Sequence, residues 1–165
     1  MATHVKIASV LVGSGGSASM AFSSIPATFS DLILYVSGRN TYAGVADDIL
    51  INFNGGADRT SRYLYGTGSA VSSVSVGAGI GLLTSNNATA NVFASIKIMI
   101  TQYAGSNYKS INAMSVSENS SALAYQVTAS GIWSSTAAVT SIQLTPSSGN
   151  FMEFSSADLY GIKNS

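Results

Sequence analysis

The residues in this chain that could perform catalysis are few and scattered. His4 is the single histidine among 165 residues, and cysteine is absent. A zinc site or a Ser-His-Asp triad needs several converging groups, and one histidine near a terminus does not supply them. We therefore predict no catalytic residue, no cofactor-binding residue and no metal ligand, and we expect a protein that is not an enzyme.

The acidic residues offer a second kind of chemistry. Asp47, Asp48 and Asp58 lie close in sequence to Asn52 and Asn54, and carboxylate and amide oxygens are the ligands that calcium prefers. The spacing does not match an EF-hand, and Asp and Asn also stabilise turns. We favour a polar hairpin and keep calcium binding as the alternative.

Aromatic side chains offer a third kind of chemistry, the binding of sugars. The chain has eight tyrosines and one tryptophan, whose flat faces can stack on sugars. Tyr63 and Tyr65 share one face of a predicted strand, beside Arg59 and Arg62. Tyrosine is also a frequent strand residue and is enriched at protein interfaces. We favour an interface role for these two tyrosines and keep glycan binding as an alternative.

The composition indicates a protein that works by contact. Only 8% of the residues are charged, 46% are hydrophobic and the formal net charge is zero, whereas an ordinary soluble domain is about one-quarter charged. A surface of Ser, Thr, Asn and Gly repels neighbouring copies weakly, which favours a component of an assembly. Without a basic patch we expect no nucleic-acid partner, and without an apolar run of about 20 residues we expect no membrane span.

The elements that must position these residues are strands. Apolar and polar residues alternate with a period of two, as in Leu32, Leu34 and Val36, which is typical of a sheet with one buried face. Turn-forming segments such as Asn54-Gly-Gly separate the runs. The segment Ser69–Leu83 fits either a loop or an edge strand. Predicted strands lie near residues 5–12, 17–22, 31–38, 48–54, 60–65, 91–102, 108–116, 124–132, 138–145 and 151–162.

This pattern predicts an all-β fold in one domain spanning residues 1–165, with a short N-terminal arm of about residues 1–6. Many short strands with regular turns indicate an antiparallel β-sandwich, and about eight to ten strands favour a jelly roll. Phe93 and Met99 interrupt the polar face of the strand near 91–102, which indicates a second buried surface such as a subunit contact. The predicted interface residues are therefore Phe93, Met99, Tyr63 and Tyr65.

Two parts of the chain carry a family resemblance. The first joins Phe22–Arg39, which contains Ile-Pro-Ala-Thr-Phe-Ser-Asp-Leu, to Asp48–Gly55. The second joins Trp133–Leu144, Gly149–Phe151 and Ser156–Ile162, which contains Ala-Asp-Leu-Tyr-Gly-Ile. Both resemble small jelly-roll structural proteins of tailed bacteriophages, of the kind that decorate heads or build tail appendages. The resemblance implies structural positions and no catalytic residues.

The resemblance indicates a virion component without fixing its place in the virion. The sequence shows no coiled coil, no fibrous repeat and no separate docking domain, which favours the head over a tail fibre. We expect a capsid decoration (cement) protein on the outer surface of the head, bound to the major capsid protein and made in the bacterial host cytoplasm. The residues Met1–Ile7 lack a charged leader followed by a long apolar run, so we expect no secretion signal. By analogy with other jelly-roll virion proteins we expect a homotrimer. The alternative is a tail-fibre or receptor-binding protein that recognises a host-surface glycan.

Overall fold

The structure is a computed structural model that describes residues 3–56, 58–120 and 123–163. Within these ranges the chain forms strands and turns, and no helix is present that could cross a membrane. The predicted all-β class is confirmed. The strands are β1 (Thr3–Leu11), β2 (Met20–Phe22), β3 (Asp31–Gly38), β4 (Ala46–Phe53), β5 (Arg59–Gly66), β6 (Val71–Ser75), β7 (Gly79–Thr84), β8 (Ala94–Thr101), β9 (Lys109–Ser120), β10 (Leu123–Trp133), β11 (Ile142–Pro146) and β12 (Ser156–Lys163).

The strands form two antiparallel sheets of unequal size that pack face to face as a β-sandwich. The large sheet has the order β1-β12-β3-β8-β9-β10-β5-β6, and the small sheet has the order β2-β11-β4-β7. Edge strand β7 of the small sheet packs mainly against β9 and β10 of the large sheet. Strand β6 and the adjoining part of β5 therefore extend past the small sheet as an overhang.

Two hairpins account for the unequal sizes. The hairpin β5–β6 follows β4, the hairpin β9–β10 follows β8, and both join the same side of the large sheet. The remaining eight strands fall into two groups of four, β1-β12-β3-β8 and β2-β11-β4-β7. This order fits the predicted jelly roll, and the hairpins extend one of its sheets from four strands to eight.

The core lies between the sheets and is built by the predicted alternation. Leu34 of β3, Ile98 of β8 and Ile51 of β4 belong to one hydrophobic cluster, and all three are almost fully buried. Trp133 closes one end of the core against Phe53, with ring centroids 5.3 Å apart. Each such side chain contributes about 1.5–3 kcal/mol through burial, so the core needs neither disulfides nor metal ions.

Most predicted strands are present with small changes at their ends. The segment Ser69–Leu83, which the sequence left undecided, forms β6 and β7. The predicted arm is wrong for residues 3–6, because Thr3 pairs with Lys163 and Lys6 pairs with Tyr160 in the ladder between β1 and β12. The arm's residues 1 and 2 lie outside the described residues.

Candidate interaction surfaces

The interface prediction for Tyr63 is wrong at the level of this single chain. Tyr63 is only 3% exposed and belongs to the hydrophobic core. Its hydroxyl donates to the carbonyl of Gly81 at 3.0 Å and accepts from the N–H of Gly81 at 2.8 Å. Burial raises the pKa of this phenol, and the neighbouring Asp48 carboxylate raises it further. Tyr63 therefore joins the two sheets and presents no surface to a partner.

Tyr63 belongs to a row of hydroxyls that covers the outer edge of β7. Ser61 Oγ donates to the carbonyl of Gly79, and Ser117 Oγ donates to the carbonyl of Leu83 at 3.2 Å. Ser115 Oγ accepts from the N–H of Leu82 at 3.1 Å. These side chains of the large sheet satisfy main-chain groups of β7 that an edge strand otherwise leaves unpaired.

Tyr65 lies at the cavity beneath the overhang. The cavity measures about 330 Å³, and half-buried Tyr65 lines it together with Tyr125 and Val74. Asp48 supplies the carboxylate of the same cavity, and burial raises its pKa. Aromatic faces beside a carboxylate are suited to an uncharged polar ligand such as a sugar.

Met99 lies on the outer face of the large sheet, the face directed away from the small sheet. It is half-buried and borders a groove of about 450 Å³ across β8, β9 and β10. The groove forms where the residues of the sheet are small, among them Ser110, Ser130 and Gly131. Ile33, paired with Met99 across the ladder, is 4% exposed. The second apolar surface predicted for this strand is thus partly covered within the chain.

Phe93 lies just before β8 at one end of the sandwich. It is half-buried and lines a cavity of about 300 Å³ with Met152 and Phe154. Phe154 is 67% exposed and has a φ of 69°, a left-handed conformation that is unusual for a bulky residue. The structure therefore brings Phe93 near an exposed aromatic ring. It keeps Tyr63 and Tyr65 together at the overhang cavity, where Tyr63 is buried in the wall, and places Phe93 and Met99 at two other sites.

The outer face of the large sheet carries small groups of exposed apolar side chains among Ser, Thr and Asn. Met114 of β9 lies opposite Lys97 of β8, which lies opposite Tyr35 of β3. Lys6 and Asp158 form an ion pair at 2.9 Å on this sheet, and the hydrogen bond from Ser9, with that of Lys6, lowers the pKa of Asp158. The exposed apolar residues of the face are Tyr35, Leu64, Val71, Met114, Val116 and Ile132.

Two buried cations hold loops at the ends of the sandwich, and sequence analysis missed both. Arg39 is 5% exposed, and its guanidinium donates to the carbonyls of Thr89 at 2.7 Å, Val92 at 2.8 Å, Ala88 at 3.1 Å and Asn86 at 3.3 Å. The planar guanidinium presents several donors in fixed directions, which suits a ring of main-chain carbonyls. Arg39 thus fixes the loop between β7 and β8.

Lys109 is the second buried cation and holds together the loop before β9 and the loop after β10. Its ammonium donates to the carbonyls of Gly105 at 2.6 Å, Asn107 at 2.7 Å and Ala137 at 2.6 Å. It also lies 5.5 Å from the centroid of the Trp133 ring. The sequence gives no signal for this contact, because the carbonyl partners belong to two loops that only the fold brings together.

The residues proposed for calcium are distributed among structural roles. Asp47 accepts hydrogen bonds from Asn40 Nδ2 at 2.7 Å and from the N–H of Ser148 at 2.8 Å, and burial raises its pKa. Asn54 Oδ1 accepts from the N–H of Thr140 at 2.8 Å and so fixes a loop. Among the described residues, no three His, Asp or Glu side chains lie close enough together to hold a metal ion.

The described residues define a β-sandwich whose distinctive exposed features are a broad sheet face, an overhang cavity and sheet edges. No protein-family model matches the chain, and no curated protein matches it.

Proposed function

We propose that this chain is a non-enzymatic structural protein of a bacteriophage virion. More specifically, it is a decoration protein that binds the outer surface of the head, contacts the major capsid protein and stabilises the assembled shell. It acts as a homo-oligomer, with a trimer as the proposed state. The observation that carries this proposal is the outer face of the large sheet, an eight-stranded surface with small apolar patches among polar side chains and few charges.

A face of this kind suits weak contacts that are repeated many times. Met114 and Val116 lie two residues apart on this face and are bordered across the ladders by polar residues such as Ser95 and Thr128, so the apolar patch is small and one copy gains little from burying it. Copies arranged with the symmetry of a shell add these contacts through multivalency. Because such a protein binds the assembled shell and not free subunits, mass action favours the intact shell.

The fold and the sequence resemblance support the same class of protein. The strand order fits a jelly roll, an architecture that occurs in viral capsid proteins. The low content of charged residues fits a chain that is packed against copies of itself or against another shell.

A second function is favoured by the overhang cavity. Tyr65 and Tyr125 flank this cavity of about 330 Å³, and the Asp48 carboxylate lies within it. A host-surface glycan would stack on the tyrosine rings and donate hydroxyl hydrogen bonds to the carboxylate. This arrangement supports the alternative of a receptor-binding protein of the tail.

Particles stripped of this protein and then reloaded with it test the two functions together. For a decoration protein, stripped heads lose resistance to heat and regain it when purified protein is added, and adsorption to cells is unchanged. For a receptor-binding protein, stripping abolishes adsorption and leaves the heat resistance of the shell intact. The second result overturns the proposed head location.

A further inference from the structure

The two sheets have four edge strands, and three of them are blocked by recognisable devices. β1 carries Lys6 and an irregularity between Lys6 and Ala8, both of which discourage pairing with another strand. β2 has only three residues. The edge of β7 is covered by hydroxyls of the large sheet, including that of Tyr63. Natural edge strands commonly use short length, charge, irregularity or a cover to prevent pairing with another chain.

β6 has none of these devices. Its sequence is Val71-Ser-Ser-Val-Ser75, without charge or proline, and its register with β5 is continuous. Val71 is 75% exposed and Val74 is 42% exposed. Within the described residues, β5 is its neighbour in the sheet order and β6 ends that order. The strand therefore offers a row of main-chain donors and acceptors with no barrier to a partner.

The hydrogen bonds of the hairpin show which groups face outward. The N–H of Val76 donates to the carbonyl of Ser61, and the N–H of Thr67 donates to the carbonyl of Ala70. Antiparallel pairs alternate between bonded and non-bonded positions. Residues 70, 72, 74 and 76 thus direct their main-chain groups toward β5, and residues 71, 73 and 75 direct theirs to the open edge.

We propose that the open edge of β6 pairs antiparallel with β6 of a second copy of this chain, about a two-fold axis at Ser73. In this register Ser73 bonds Ser73 of the second copy, and Val71 bonds Ser75 of the second copy on both sides of the axis. All three outward residues of each strand then occupy bonded positions, which is the arrangement that an antiparallel ladder requires. The two large sheets join into one continuous sheet.

Three features make a second copy the fitting occupant. The pattern of outward groups is symmetric about Ser73, as a two-fold interface requires. The strand carries no charge, so two copies do not repel each other. The charged neighbour Arg62 pairs with Ser75 at one end of β6, so the axis keeps the two Arg62 side chains at opposite ends of the contact.

Charge reversal at the axis tests this pairing. The variants S73K and S73D each place like charges on facing side chains whose Cα atoms lie about 5.5 Å apart across the axis. Ser73 is exposed, so the fold of the single chain tolerates both. Light scattering is expected to find an even number of wild-type chains per particle, six where the two-fold contact joins two of the proposed trimers, and half that number for each variant. An equimolar mixture of S73K and S73D is expected to recover the wild-type mass. S95K, on the outer face of β8, is the control and retains the wild-type mass.

A disulfide trap tests the register, because the chain has no cysteine of its own. S73C places two thiols at bonded positions about 5.5 Å apart between Cα atoms, within disulfide range. In S75C each cysteine lies opposite Val71 of the second copy. The two cysteines are therefore four residues apart along the strands, and their Cα atoms are roughly 13 Å apart. Under mild oxidation S73C is expected to form a covalent dimer and S75C to remain uncoupled.

Each result bears on the proposal. A wild-type monomer at micromolar concentration overturns the proposed pairing. A wild-type trimer whose mass S73K leaves unchanged also overturns the pairing, but it agrees with the proposed function. Cross-linking of S75C in preference to S73C overturns the register and the two-fold axis at Ser73. Recovery of the mass by the mixed variants, together with selective cross-linking of S73C, supports the pairing whether the protein belongs to the head or to the tail.

Discussion

The Tyr63 hydroxyl forms two hydrogen bonds with a single residue of the opposite sheet, Gly81. It accepts from the Gly81 N–H at 2.8 Å and donates to the Gly81 carbonyl at 3.0 Å. One side chain thus replaces the neighbouring strand that the edge of β7 lacks. Because the small sheet has only four strands, this contact helps to fix its edge on the larger sheet.

Replacing Tyr63 with Phe tests that contact. The substitution keeps the ring in the core and leaves the Gly81 N–H and carbonyl without this partner, so we expect the free energy of unfolding to fall by about 1–3 kcal/mol. Urea denaturation measures the change. Tyr65→Phe is the matched control, because the half-exposed Tyr65 lies outside the core, and its effect should stay within about 0.5 kcal/mol. Equal losses in the two variants would contradict the assigned role.

Arg39 provides a second test, because one guanidinium serves four main-chain carbonyls. Arg39→Met removes every donor, and we expect the free energy of unfolding to fall by about 2–4 kcal/mol. Arg39→Lys should recover less than half of that loss, since an ammonium does not reproduce the planar fork of donors. The exposed Arg62→Met serves as control. Full recovery by lysine would show that charge, and not donor geometry, holds the loop.

Alternation in the sequence was sufficient to predict the strands and most of the core. Leu32, Leu34 and Val36 were assigned to one face, and all three are buried. Ser69–Leu83 gives a weak pattern because it is rich in Ser, Gly and Ala. In the structure β6 pairs with the preceding strand β5 in a hairpin, and β7 pairs with β4, which is distant in sequence. Alternation depends on local residue order, so it identifies a strand more readily than it identifies the strands that pair with it.

The surface features were less predictable for the same reason. Alternation placed Tyr63 and Tyr65 on one strand face, but the extent of the small sheet decides that Tyr63 is covered and that Tyr65 lies at the overhang. The roles of Arg39 and Lys109 depend on carbonyls of distant loops, and a carbonyl has no sequence signature. The distribution of the four predicted interface residues over three sites follows from tertiary structure alone.

Lys109 offers a test of the second buried cation. Lys109→Met keeps much of the aliphatic volume but removes the donors to Gly105, Asn107 and Ala137, so we expect a loss of about 2–4 kcal/mol in the free energy of unfolding. The fluorescence of Trp133, the single tryptophan, should shift because the ammonium lies 5.5 Å from its ring. Lys97→Met on the exposed face of β8 should change neither quantity. An unchanged unfolding free energy for Lys109→Met would refute the loop-holding role.

The pH dependence of stability should reflect Asp47. Burial raises its pKa in the folded protein above the ordinary aspartate value of 3.8, so the folded state holds the proton more tightly than the unfolded chain. The contribution of Asp47 to stability is therefore favourable at low pH and is lost as pH rises through the window above 3.8. Urea titrations from pH 3.5 to pH 7 should show a smaller decline with rising pH in Asp47→Asn than in the wild type.

Asp158 serves as a control for Asp47, because its pKa is shifted in the opposite direction. Hydrogen bonds from Ser9 and Lys6 lower its pKa, so its contribution is present above pH 3.8 and is lost as pH falls below that value. Asp158→Asn should therefore flatten the acid side of the profile and leave the decline above pH 4 unchanged. A decline that persists in full in Asp47→Asn would show that another group, such as Asp48, causes it.

The last prediction concerns the outer face of the large sheet and rests on the proposed function. Met114 lies in the middle of that face on β9 and is 53% exposed. Met114→Lys adds a charge that a contact with the shell would have to desolvate, so we expect at least a tenfold weaker binding to stripped heads, about 1.4 kcal/mol. Because the site is exposed, the free energy of unfolding should change by no more than about 0.5 kcal/mol. Gln143→Lys, on the outer surface of the small sheet, is the matched control and should bind as the wild type does. If Gln143→Lys weakens binding and Met114→Lys does not, the small sheet and not the large one faces the shell.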